Sequence, residues 1–144
     1  FGTIYGRNDE EQTAAIKRYE DVSKNFFDIR SQLARWFNQD YLDKNPKIVE
    51  MISRILNANN HEDFLKSYKL LSYFKDSMIA FGEISSPTLI ITGENEVGST
   101  PKMSKDMGKV IRGSKVEIIK EGKHLCGIEF YTDVNKAFEG FINE

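Results

Sequence analysis

The sequence predicts an α/β chain in which a helical first part, residues 1–82, is followed by a parallel βαβα unit over residues 83–144. Three observations carry this expectation. Apolar residues recur at helical spacing through the first part. The run Pro87 to Thr92 is compact, rich in β-branched residues and bounded by Pro and Gly, which suits a strand buried on both faces. A helix with start and stop signals then separates that run from a second, alternating one, Lys115 to Lys120. Strand, helix and strand in that order, placed in one sheet, imply parallel strands joined by a right-handed crossover.

In chain order, Asn8 or Asp9 is placed to cap a first helix reaching about Val22. Ser23 is placed to cap a second, in which Phe26, Ile29, Leu33, Trp36 and Phe37 form one stripe. Asn45 followed by Pro46 reads as a helix start, because proline at the first position gives up an amide that has no partner anyway. Ile48, Ile52, Ile55 and Leu56 follow on one face. Asn60, with Asp63 three residues on, resembles a capping box that opens a helix carrying Phe64, Tyr68 and Leu71. After the first strand, Thr100 caps a helix with Pro101 at its first position and Met103, Met107, Val110 and Ile111 on one face. Gly113 supplies the left-handed stop. Val134, Phe138, Phe141 and Ile142 mark a closing helix.

Composition narrows the partners. Acidic and basic residues nearly cancel, 22 against 20, so no broad cationic face points to nucleic acid or to an anionic membrane. No apolar run approaches the roughly 20 residues that span a bilayer. One cysteine, Cys126, cannot form an internal disulfide, and no charged-then-apolar leader opens the chain. The expectation is a soluble, cytoplasmic protein acting on a small molecule. Because the chain opens at Phe1 rather than at methionine, it also reads as a fragment.

In open parallel sheets, catalytic groups collect in loops beyond the C-terminal ends of strands. Two such loops are present: Thr92-Gly93-Glu94-Asn95-Glu96-Val97-Gly98-Ser99-Thr100 and Glu121-Gly122-Lys123-His124-Leu125-Cys126. Here the chain resembles the α/β-hydrolase family. Pro87 to Glu96 matches its penultimate core strand, written P, apolar run, G, x, x, D, and Gly122 to His124 matches the G-x-H that precedes its last helix. Tyr5-Gly6-Arg7, the pair Trp36-Phe37, Gly98-Ser99-Thr100-Pro101 and His124-Leu125 look most like the 3-oxoadipate enol-lactonase branch. The resemblance covers essentially the whole chain and identifies it with the C-terminal part of that fold, a helical lid followed by the last two core strands.

The resemblance implies that His124 is the general base and that Glu96 orients it, with Glu94 as the alternative acid, since the family usually has aspartate here. Trp36 and Phe37 would either face substrate from the lid or fill the seam between lid helices. No G-x-S-x-G nucleophile elbow occurs, nor a glycine-rich oxyanion loop. Ser99, in the acid's own loop, and Ser114, at the other end of the sheet, are poor substitutes. The chain alone is therefore expected to be inactive, its nucleophile lying in a missing N-terminal half. No metal and no organic cofactor is implied, and the substrate would be a small carboxylic ester or lactone.

The rival motifs are weaker. Gly93 to Thr100 approximates a phosphate loop but has Ser99 where lysine is needed and carries Glu94 and Glu96, which repel phosphate. His61 and Cys126 lack the neighbours a metal site needs. A non-catalytic binding or assembly module derived from the same fold is the alternative function. The apolar edge of Leu89 to Ile91 normally pairs with a preceding strand, of which only Phe1 to Ile4 is in the chain. Self-association through that edge is therefore expected.

Overall fold

The computed structural model describes residues 1–25 and 28–143. It has the α/β architecture anticipated: helices first, then two parallel strands with helices on either face. Strands β1 (Leu89–Gly93) and β2 (Lys115–Ile119) pair in register from Leu89 opposite Lys115 to Gly93 opposite Ile119. Successive residues of β1 serve opposite faces, as strand geometry requires. Ile90 packs with Met107 of α6 (Pro101–Val110) and with Ile111 at its C-terminal cap, whereas Ile91 packs with Cys126 of α7 (Cys126–Glu129) and Val134 of α8 (Tyr131–Ile142).

The two flanking helices fare differently. On α6 the Thr100 hydroxyl accepts from Met103 N, Met103, Met107 and Ile111 are buried, and Gly113 turns the chain at φ 73°. Val110, expected on that face, is instead 37% exposed. Phe81 and Tyr5, edge to face at 5.0 Å, and Ile84 complete the cover over Met107 and Ile111. On α8 only Val134 is buried, while Phe138 and Ile142 are 43% and 75% exposed. Strands lie about 4.8 Å apart, less than half the roughly 10 Å width of a helix. Two strands therefore cover a narrow band of α8, and no further element among the described residues covers the rest of its stripe.

The helical part departs from expectation in its second cap. The first helix, α1 (Asp9–Lys24), opens with a complete capping box between Asn8 and Glu11 and runs past Ser23, whose hydroxyl donates to Glu20 O. Asp28 caps α2 (Ile29–Trp36) by accepting from Ser31 N at 2.9 Å. Ser23 does not cap because the backbone around it is still helical; Phe26, assigned to the same stripe, lies outside the described residues. A short α3 (Gln39–Lys44), unforeseen, leads to α4 (Pro46–Ala58), which begins with proline at its first turn as expected. Ile52 and Leu56 of α4 pack with Leu33 and Phe37 as a second core, while Ile55 is 52% exposed. Asn60 caps α5 (His61–Tyr73) by accepting from Asp63 N. Its stripe is half-buried rather than buried, with Leu71 48% exposed, because it faces a cavity. Ahead of α1, Gly2 N donates to Ile91 O at 2.9 Å and Ile4 is buried, so this stretch lies along the free edge of β1.

Candidate functional site

The two loops named above leave the sheet side by side. Glu94 N donates to Ile119 O and Asn95 N to Gly122 O, both at 2.8 Å, which continues the strand pairing into the loops. The approach is so close that only glycine fits: a Cβ on Gly93 would collide with the Gly122 carbonyl, and one on Gly122 would lie 2.7 Å from Cys126 Cβ. Between them Glu121 holds φ 59°, a left-handed conformation that non-glycine residues rarely adopt. Its amide donates to Glu94 Oε2 at 2.9 Å, and its carbonyl accepts from the side chains of Asn38 and Asn95. Such strain persists only where neighbours over-determine it.

Glu96 is the carboxylate that meets the imidazole. Its Oε2 lies 2.8 Å from His124 Nδ1, with the carboxylate side chain 3% and the imidazole 42% exposed. Its Oε1 accepts from Gly98 N and Ser99 N. Burial pushes the Glu96 carboxyl upward, but the hydrogen bonds from His124, Gly98 and Ser99 outweigh it and hold the group below the ordinary carboxylate range. An ionised carboxylate can only accept. His124 Nδ1 therefore donates, and in the neutral ring the lone pair sits on Nε2. Glu94, the alternative acid, is engaged on Glu121 N instead.

Of the two aromatic candidates, Trp36 stands beside the imidazole, ring centroids 6.0 Å apart, and lines the cavity. Phe37 is fully buried, stacked on Tyr41 at 5.5 Å in the helical core, so it fills the seam between helices. The residues that join the two halves had not been singled out. Lys123 Nζ donates to Ala34 O and Phe37 O, Leu125 N to Trp36 O, and Asn38 Nδ2 to Glu129 Oε1. Together they dock the C-terminal end of α2 onto the histidine loop, with lysine placed where a helix end favours a cation.

Above His124 lies a cavity of about 590 Å³, within the range of small-molecule sites. The helices α1, α2 and α5 form one wall, and the acid loop with His124 forms the other. Ile4, Leu56, Phe64 and Met103 make much of it apolar, and Arg7, Arg18 and Arg35 bring positive charge. The Ser99 hydroxyl is buried and has no hydrogen-bond partner among the described residues, so it makes no hydrogen bond to His124. Ser114 Oγ donates to Gly108 O, away from these loops. Cys126 is fully buried, and burial raises its thiol to about 11. Among the described residues no group of three or more His, Cys, Asp or Glu is placed to hold a metal ion, and no helix is long and apolar enough to cross a membrane.

No protein-family model matches the chain. It is 25% identical over 141 residues to (E)-2-((N-methylformamido)methylene)succinate hydrolase of Acinetobacter baylyi, covering 96% of this chain and 52% of that protein. Its fold superposes on the enol-lactonase of Burkholderia xenovorans with a TM-score of 0.74 at 21% identity, over 94% of this chain and 49% of that one. A hydrolase from Pseudomonas aeruginosa gives 0.79 at 19% identity, over 99% and 54%. The chain is related to the α/β-hydrolases and has the fold of their C-terminal part. It spans about half the length of the curated relatives it matches. Within an α/β-hydrolase fold, the Glu96–His124 pair occupies strand-exit loops, the place where ligand sites collect in open parallel sheets.

Proposed function

We propose that this chain carries the histidine and acid of a serine-type α/β-hydrolase site for small carboxylic esters or lactones, with residues 1–82 as lid and 83–144 as core. The observation that carries the reading is the 2.8 Å contact between His124 Nδ1 and a buried, ionised Glu96 beneath an accessible cavity. In that state Nε2 is free to take the proton of a serine hydroxyl as it attacks the ester carbonyl. The imidazolium so formed is stabilised by Glu96 and then returns the proton to the leaving oxygen. Water, deprotonated by the same nitrogen, releases the acid and restores the serine. The serine comes from polypeptide outside these 144 residues, since neither Ser99 nor Ser114 bonds to His124. The relatives' names, a substituted succinate hydrolase and an enol-lactonase, support an ester-like or lactone-like substrate. A reducing cytosol suits the single buried thiol.

Reaction with a fluorophosphonate probe tests the reading. The 144-residue chain should remain unlabelled, whereas an extended form that includes a G-x-S-x-G elbow should be labelled, at a rate that falls by at least roughly a thousandfold in His124→Ala. Turnover of an activated ester by the 144-residue chain itself, abolished in His124→Ala, would overturn the division of the triad. Absence of labelling in the extended form would favour a binding module instead.

A further inference from the structure

We propose that Gln32 selects among substrates: its side-chain amide receives a neutral hydroxyl group that the substrate carries apart from its ester or lactone. This rests on the hydrolase reading of the same site and adds a specificity-determining residue to it. Positions 32, 35 and 36 share one face of α2 at helical spacing, and Gln32, Arg35 and Trp36 all line the cavity, while Leu33 and Phe37 pack into the helical core. The histidine loop docks on the C-terminal end of α2 through Ala34 O, Trp36 O and Phe37 O. Gln32 stands one helical turn, about 5.4 Å, from Trp36 in the opposite direction. A substrate whose carbonyl lies at His124 therefore meets Gln32 with a part remote from the reacting bond.

The amide calls for a partner. Gln32 is 7% exposed, and its side chain has no hydrogen bond among the described residues. The chain's other two glutamines are engaged: Gln12 Nε2 donates to Ser72 O and Gln39 Nε2 to Asp43 Oδ1, both at 2.8 Å. The unpartnered hydroxyls of Ser99 and Ser104 are sealed in protein, whereas the Gln32 amide opens on the cavity. Ile4, Leu56 and Phe64 line the same cavity, so an apolar ligand would displace water there and leave the amide unpaired. A site that holds a polar group in this way rejects a ligand lacking its complement. No contact fixes which way the amide faces, and a hydroxyl donates and accepts through one oxygen, so it satisfies Oε1 or Nε2 alike. The carboxylates of the cavity wall are occupied, Glu96 by His124 and two amides and Glu11 by Asn8 N.

Trp36 lines the cavity and is the chain's single tryptophan, so its fluorescence reports occupancy of the 144-residue protein directly. The probes are methyl 6-hydroxyhexanoate and methyl 8-hydroxyoctanoate, each paired with the ester in which a methyl group replaces the hydroxyl, methyl heptanoate and methyl nonanoate. In Gln32→Leu the tighter-binding hydroxy ester should weaken about tenfold, while its apolar counterpart should bind more tightly. Loss of structure cannot move the two in opposite directions. Gln32→Met, unbranched and close in length, should repeat the crossover, with far-ultraviolet circular dichroism certifying the fold of both variants. His124→Ala should leave the native selectivity in place. Both members of each pair weakening together in both variants would give Gln32 a purely structural role and overturn the proposal. Affinities that do not respond to either substitution would overturn it as well. Failure of the hydrolase reading would appear in the fluorophosphonate experiment and leave the crossover intact, so the two can fail separately.

Discussion

The two walls of the cavity are built on different principles. The loop wall is held by backbone: Gly93 against Gly122, the left-handed Glu121 pinned from both sides, and Glu96 accepting from three donors. The helical wall presents half-buried side chains from α1, α2 and α5 at the cavity, over a packed core of Leu33, Phe37, Ile52 and Leu56. Proton transfer tolerates little misplacement of its donor and acceptor, whereas substrate recognition spreads over many weaker contacts. In this chain the tightly constrained wall carries the candidate proton-transfer groups, and the helical wall lines the rest of the cavity with half-buried side chains.

The comparison breaks most readily through the helical core. Phe37→Ala removes a fully buried ring and should cost about 3–5 kcal/mol. Because Phe37 O and Trp36 O anchor the histidine loop, the damage should spread to it. Urea unfolding followed by Trp36 fluorescence and by far-ultraviolet circular dichroism checks this. Loss of the helical wall with an intact Glu96–His124 contact, seen by nuclear magnetic resonance of the imidazole, would show that the two walls are independent. The reciprocal change, Gly93→Ala, pushes a methyl group into the Gly122 carbonyl and should cost about 1–3 kcal/mol, with no rotamer available to relieve it. The same measurement on Gly98→Ala should show a smaller loss, since there the methyl meets the ends of Arg35 and Glu96.

Acid should distinguish the walls next. Glu96 is held below its ordinary range in the folded chain, so it contributes stability that is present above about pH 4.5 and lost as pH falls through the lowered value. Asp106, held at about 2 by Lys102 and Lys109, and Asp28, held low by Ser31, act in the same direction at the surface. Urea midpoints recorded between about pH 7 and pH 3 should therefore fall on acidification. The fall should be shallower in Glu96→Gln. An unchanged slope would mean that the site carboxylate titrates as it does in the unfolded chain.

Much of the loop wall was legible in the sequence because its signals are local. Pro87, the β-branched run and Gly93 mark a strand and its exit within a few residues, and Thr100-Pro101 marks the next helix just as locally. The Glu96–His124 contact was legible only through resemblance, since 28 residues separate the pair. The helical wall was legible as helices but not as a wall. Ser23 and Asp28 are both acceptable caps by residue type, and what chose Asp28 was the continuation of α1 to Lys24. Phe64, Tyr68 and Leu71 read as a core stripe because periodicity registers an apolar face without telling whether protein or an empty cavity lies opposite. The apolar stripe of α8 was overread for a related reason: its spacing is sound, yet the two strands present cover only its edge at Val134.

The joint between the walls offers a small effect and the sharpest test of their coupling. Lys123 reaches from the histidine loop to two carbonyls at the end of α2, at 2.8 and 3.0 Å, across a sequence separation that no local pattern announces. Lys123→Met keeps the side chain's apolar stem and deletes both donors, leaving carbonyls that water can partly satisfy. The expected loss is about 1 kcal/mol of stability, well below that of Phe37→Ala. If the joint positions Trp36 over His124, its emission should shift to the red as the ring gains solvent, even under conditions where the chain remains fully folded by circular dichroism. Emission that stays put would assign the joint's work to Leu125 N and Asn38, whose bonds to Trp36 O and Glu129 survive the substitution, and Asn38→Ala in the Lys123→Met background would then have to produce the shift.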